Sequence, residues 1–156
     1  MIKVLRTISK NQIFIDLVAL LDAELAIRDG EDHAFYNQFN KIDQLKYVVV
    51  LFDNDLPIAC GAIKVFESNI MEVKRMYTKP EGRGKGIGSQ ILTELEKWAS
   101  EMFYKKCILE TGLKQPEAIA LYKKNGYRKI PNYGQYIGIK NSLCFEKELD
   151  KFDIEL

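Results

Sequence analysis

The amino-acid sequence predicts an α/β (α+β) fold, a mixed sheet with helices packed on its faces. Three observations predict it. β-Branched and aromatic runs separated by turn signals recur through the first half, the pattern of an antiparallel meander. The second half alternates strand and helix patterns, β-α-β and then α-β. The length, 156 residues, suits one domain over 1–156 that buries a core without staples.

Each element has its own signal. "IKVLRTI" alternates and reads as a strand. Ser9, with Gln12 three residues on, gives a capping-box pattern before a helix. Ile13, Phe14, Leu17, Val18, Leu21 and Leu25 recur at helical spacing, and Gly30 ends that helix. The stretch from Glu31 to Lys46 is less regular and has room for a short second helix. "YVVVLF", "IACGAIKVF" and "IMEVKRMYT" are three strands, joined by turns at "DNDLP" and "ESN". Gly61 inside the second marks a bulge or a close backbone approach. The third is long and lacks glycine, which suggests a central position. Ile87, Ile91, Leu92, Leu95, Trp98, Ala99 and Met102 line one face of a long helix. "KCILET" is a strand, "QPEAIALYKKNGY" a short helix from Pro116 to Gly126, and "LCFEKEL" a final strand.

Composition excludes several function classes. Hydrophobic residues make up 47% and charged residues 29%, with a net charge of +1. That balance argues against a dedicated nucleic-acid binder. Cys60, Cys107 and Cys144 have neither disulfide nor metal spacing and read as reduced core residues of a cytoplasmic protein. His33 is the single histidine, so no metal site is expected. The N-terminal residues lack a signal-peptide core, and no apolar run approaches the ~18 residues of a membrane span.

"RGKGIGSQIL", Arg83 to Leu92, carries the chemistry. A strand, a glycine-rich turn and a helix form a phosphate cradle. Backbone N–H groups and the partial positive charge of the helix N-terminus face the ligand. Arg83 and Lys85 add formal charge. A Walker loop fails, because Ile87 or Ser89 stands where its second glycine should be. A dinucleotide fingerprint matches at Gly84 and Gly86, with Glu110 placed as a ribose-binding acid, but its third glycine is Ser89. The pattern Arg-x-x-Gly-x-Gly fits as Arg83, Gly86 and Gly88.

"KRMYTKPEGRGKGIGSQILTELEKWA" resembles the acyl-CoA-binding motif of the GNAT superfamily of N-acetyltransferases. "ETGLKQPEAIALYKKNGY" resembles the family's next motif. The likeness runs over essentially the whole chain. It implies the GNAT fold, a mixed, mostly antiparallel sheet of about six to seven strands with helices on both faces. It also implies transfer of an acetyl group from acetyl-CoA to a primary amine of a small molecule, by direct attack in a ternary complex. No nucleic acid or membrane partner is expected, and a homodimer is left open. A protein lysine or N-terminal acceptor, or a non-catalytic acyl-CoA sensor on the same fold, are the alternatives.

The resemblance also implies roles for single residues. Arg83, Gly84, Lys85, Gly86, Ile87, Gly88 and Ser89 would bind the pyrophosphate of coenzyme A. Main-chain groups of Met76, Tyr77 and Thr78 would pair with pantetheine or the thioester carbonyl, with an N–H near Tyr77 as oxyanion donor. Glu72 stands where some members carry a general base. By strand alternation it shares a face with Lys74 and Met76, while Arg75 points to the other. Tyr122 would protonate the departing thiolate, since a phenol pKa of ~10 lies near a thiol at ~8.5. Gln115, seven residues earlier and on the same helix face, replaces the asparagine of many relatives and would hydrogen-bond pantetheine. Tyr133 and Tyr136, in the loop with Asn132 and Gln135, would stack on the acceptor, and Glu31 and Asp32 would attract its cation.

Overall fold

The computed structural model describes residues 1–38 and 44–149, so part of the expected second-helix stretch lies outside the described residues. Seven strands hydrogen-bond in the order β1-β2-β3-β4-β5-β7-β6. They are β1 (Ile2–Thr7), β2 (Tyr47–Asp53), β3 (Leu56–Glu67), β4 (Ile70–Thr78), β5 (Lys106–Gly112), β6 (Arg128–Ile130) and β7 (Ser142–Glu148). The helices are α1 (Gln12–Asp29), α2 (His33–Asn37), α3 (Ile87–Glu101) and α4 (Pro116–Lys124). β4 and β5 run parallel, whereas β1/β2, β2/β3, β5/β7 and β6/β7 are antiparallel. The described residues group into two compact units, 1–38 and 44–64 with 73–95, and 65–72 with 96–149.

In the first unit the sheet carries helices on opposite faces. Phe14, Leu17, Val18 and Leu21 of α1 form a buried cluster with Val48, Val50, Cys60, Ala62 and Tyr77. Gly61 lies between Cys60 and Ala62, so strand alternation turns it to the other side. There it meets α3. A Cβ on Gly61 would sit 2.6 Å from Met76 Sδ, 2.7 Å from Ile91 Cγ2 and 3.0 Å from Leu95 Cδ1. Gly61 thus marks a close approach, and the register shift of this hairpin falls instead at Leu51/Phe52. The β2–β3 turn places Asn54 and Asp55 at φ +50° and +67°, the left-handed pair of a tight hairpin.

The N-cap of α1 differs from the sequence expectation. Asn11, not Ser9, caps it: Asn11 Oδ1 accepts from Ile13 N at 2.9 Å and Phe14 N at 3.2 Å. Ser9 is buried and its N–H bonds Leu45 O. Both residue types are good caps, and the helix begins one residue after Asn11, at Gln12.

In the second unit β4 pairs with β5 from Ile70 opposite Lys106 to Glu72 opposite Ile108. β7 inserts between β5 and β6, with Glu110 opposite Cys144 and Ile130 opposite Cys144 on the far side. β6 is a three-residue strand that the sequence pattern did not reveal. Glu96, near the end of α3, is buried, and accepts from Tyr127 Oη at 2.9 Å and Lys147 Nζ at 2.8 Å. All three cysteines are buried and free. Among the described residues no helix is long and apolar enough to cross a membrane.

Gly61→Val should destabilise the protein by about 1–3 kcal/mol, the usual cost of overpacking. Thermal unfolding measures it, and an unchanged midpoint would show that α3 does not seat tightly on β3.

Candidate active site

The glycine loop enters α3 from a short 3-10 turn, Pro80–Gly82. Gly84 and Gly86 stand at φ +76° and +78°, with nothing within 4 Å of an added Cβ. Their need for glycine is therefore conformational: L-residues are disfavoured there by ~1–2 kcal/mol. Gln90 N donates to Gly86 O at 3.1 Å, so the first turn of α3 opens directly after the loop. Ile87 anchors it in the core, 3% exposed, while Gly88 and Ser89 are half-buried and Lys85 is exposed. This end of α3 presents N–H groups and positive dipole charge beside Lys85, an arrangement suited to an anion.

Arg83 is committed differently from the sequence expectation. Its NH2 nitrogen bonds Glu24 Oε1 and Oε2 at 3.0 and 3.1 Å, and its Nε bonds Thr78 O at 2.9 Å. The guanidinium carbon lies 5.8 Å from the Tyr77 ring centroid. Arg83 therefore ties the loop to α1 and to the end of β4, and Thr78 O is already accepting.

Within β4 the backbone departs from plain alternation. Arg75 adopts φ +57°, and a left-handed residue inside a strand kinks the pleat. Glu72 and Lys74 precede the kink, and only the expectation that Met76 shares their face rests on alternation across it. The guanidinium of Arg75 is buried and ion-paired with Asp22 of α1, and its carbonyl accepts from Cys60 Sγ at 3.5 Å. Arg75 is thus a structural residue of the first unit.

The second unit gathers the tyrosines and carboxylates. Tyr122, on α4, is 6% exposed. Its ring packs against Tyr127 at 5.9 Å and Phe145 at 6.5 Å. Burial first, and the charge of Glu110 second, push its phenol above the ordinary value. The phenol stays protonated at any working pH. The near match to a thiol that an unperturbed phenol offers is lost, so donation of a hydrogen bond to a leaving sulfur suits it better than full proton release.

Glu72 is 7% exposed and accepts from Tyr133 Oη at 2.6 Å. The Tyr133 ring meets Phe66 and Tyr136 edge-on, at centroid distances of 5.2 and 5.7 Å. Tyr136 is buried, and burial, then Glu110 and Glu72, raise its phenol. Of the two tyrosines expected to stack on an acceptor, Tyr133 is half-buried and bonds Glu72, and Tyr136 is buried against it. Gln115 is half-buried at the N-cap of α4, where its carbonyl accepts from Ile119 N. Glu31 and Asp32 lie in the 3-10 turn Gly30–Asp32, Glu31 exposed and Asp32 half-buried. Sequence reasoning missed the bond from Tyr133 to Glu72, because 61 residues separate the two. Among the described residues no group of three or more His, Cys, Asp or Glu could hold a metal ion.

The acetyltransferase (GNAT) family model matches residues 15–127, and the chain belongs to that family. It is 39% identical to the IAA acetyltransferase of Azospirillum brasilense over 93 residues, 59% of this chain and 61% of that protein. The match thus spans about three-fifths of that relative's length. A candidate acyl-CoA N-acyltransferase from Klebsiella pneumoniae has the same fold, with a TM-score of 0.81 at 29% identity over 96% of this chain and 99% of that one. The PaiA N-acetyltransferase of Thermoplasma acidophilum, solved in complex with coenzyme A, shares the fold at a TM-score of 0.69 and 21% identity, over 95% and 99% of the two chains.

Gly86→Ala should cost about 1–2 kcal/mol from backbone conformation alone, since no atom opposes its methyl. A thermal midpoint equal to that of the parent protein would mean the loop relaxes freely into another conformation.

Proposed function

We propose that this chain is an N-acetyltransferase that moves an acetyl group from acetyl-CoA to a primary amine of a small molecule. It would act as one domain, by direct attack in a ternary complex, in the cytoplasm. The observation that carries this reading is the loop: two left-handed glycines opening straight into α3, in a chain of the acetyltransferase (GNAT) family. The N–H groups at the start of α3 and Lys85 bind the pyrophosphate. Arg83 holds the loop in shape. The N–H near Tyr77 supports the oxyanion.

The reaction divides between two side chains of the second unit. Glu72 takes a proton from the acceptor's ammonium, directly or through water, which exposes the nitrogen lone pair. That nitrogen attacks the thioester carbonyl; the C–N bond forms, the C–S bond breaks with its electron pair on sulfur, and the surplus proton on nitrogen passes through water to the thiolate. Tyr122 donates a hydrogen bond to the departing sulfur, and burial, which raises its affinity for the proton, keeps that O–H in place throughout. The acyl donor supplies the thioester, and the protein supplies orientation and proton traffic.

Thermal unfolding with acetyl-CoA, coenzyme A, NAD and ATP tests the loop. A ligand at 100 times its Kd adds about 2.7 kcal/mol. Stabilisation by acetyl-CoA and coenzyme A is expected; stabilisation by NAD or ATP alone would refute the reading. Tyr122→Phe should lower kcat about 10²-fold or more with little change in acetyl-CoA affinity. The assay is release of coenzyme A thiol with putrescine, ethanolamine and glucosamine as acceptors. Unchanged turnover would remove Tyr122 from the reaction.

A further inference from the structure

We infer that Tyr133 is the positioning residue for Glu72: its phenol donates to one carboxylate oxygen and fixes the rotamer of the group. This rests on the reading of Glu72 as the base and adds a residue to it.

Glu72 occupies the last position at which β4 pairs with β5, and its side chain is almost fully enclosed. Enclosure disfavours a charged carboxylate unless a donor compensates. The Tyr133 hydroxyl is that donor, and the 2.6 Å separation lies in the short range of an O–H bonded to a carboxylate. A hydrogen bond of this polarity fixes one oxygen of Glu72 and leaves a defined direction for the other.

Tyr133 is itself held from several sides. Its ring is bracketed by Phe66 and Tyr136. Its carbonyl accepts from Tyr136 N at 2.9 Å. The neighbouring Asn132 shares its amide among the carbonyls of Tyr136, Ile139 and Ser142, at 3.0 to 3.1 Å. The loop between β6 and β7 is thus braced internally to present one phenol. A residue serving only to fill space there would need the ring and not the hydroxyl.

The other titratable groups around Glu72 are Tyr136 of the same loop and Cys144 of β7, both of which feel its charge; Glu110 of β5 acts on the same two. Burial raises Tyr133, Tyr136 and Cys144, the last to about 11. At neutral pH these three keep their protons, so proton exchange in this cluster falls to the carboxylates.

The test reads the carboxylate itself. Carbon-13 NMR follows Glu72 Cδ through a pH titration, the resonance being assigned by its loss in Glu72→Gln. Tyr133→Phe retains the ring and removes the donor, and should raise the titration midpoint by about one pH unit. Difluorotyrosine at position 133, a stronger donor of the same shape, should lower it. The acid limb of kcat/KM for acetyl-CoA with putrescine, ethanolamine and glucosamine should move in step with the midpoint. A midpoint that moves in neither protein overturns the inference, as does a moved midpoint that the acid limb ignores. If Tyr133→Phe fails to fold, the fluorinated protein decides alone. An acid limb that persists in Glu72→Gln refutes Glu72 as the base, whatever the NMR midpoint does, so the two failures are told apart.

Discussion

The seat of α3 on β3 at Gly61 is the constraint on which the first unit depends. Ile91 and Leu95 occupy the space that any Cβ at position 61 would fill. Because a helix is a stiff rod rising 1.5 Å per residue, that contact also fixes its first turn, at Ile87. The strand end is pinned as well. Lys79 N bonds Ile58 O at 2.8 Å, and a Cβ on Gly82 would meet Ile58 Cγ2 at 2.4 Å. Only residues 83–86 remain to join two fixed ends. That short span makes the left-handed turns at Gly84 and Gly86 necessary, and these place the N–H groups of α3 at the mouth of the loop.

Charge is handled in the same local manner throughout. Three enclosed charged groups have partners from distant parts of their own unit: Arg75 with Asp22, Glu96 with Tyr127 and Lys147, Glu72 with Tyr133. Pairs of this kind contribute little net stability, because desolvation offsets their attraction. Their effect is to select one arrangement. Burial and neighbouring carboxylates raise the phenols of Tyr122, Tyr127 and Tyr133 alike. Two of them, Tyr127 and Tyr133, are fixed O–H donors to the carboxylates of Glu96 and Glu72.

Much of this was legible in the sequence where the signal is local. The apolar stripe of α3, the paired glycines before it, Pro116 opening α4 and Gly126 after it are all short-range patterns, and each element stands where they place it. The strand "IMEVKRMYT" is central, as its length suggested. The failures are long-range. Asn11 takes the cap expected of Ser9, whose backbone N–H is instead bonded to Leu45, 36 residues away. β6 is too short to show a period and exists because β7 supplies its partner. The left-handed Arg75 has no glycine to announce it, and its guanidinium pairs with Asp22, 53 residues away. Tyr133 read as an acceptor-facing aromatic because its composition allowed that, while its bond to Glu72 depends on a fold that brings the β6–β7 loop onto β4.

The fate of Arg83 refines how the loop would meet a pyrophosphate. A motif arginine beside three glycines suggests a cation reaching for phosphate, yet its guanidinium engages Glu24 and Thr78 O. Moving it onto a ligand would break a bidentate pair and leave Thr78 O without that donor. On the proposed reading, the phosphate is met chiefly by backbone N–H groups and the α3 dipole, with Lys85 as the mobile charge. Recognition then depends on the shape of the turn more than on its formal charge. Oriented backbone groups also do not swing away into solvent as a lysine does, and their contribution is less exposed to screening by salt than that of a free surface cation. The loop's specificity for a diphosphate over an isolated anion follows from the same geometry, since successive N–H groups along the turn can engage neighbouring phosphate oxygens, whereas one lysine supplies a point charge.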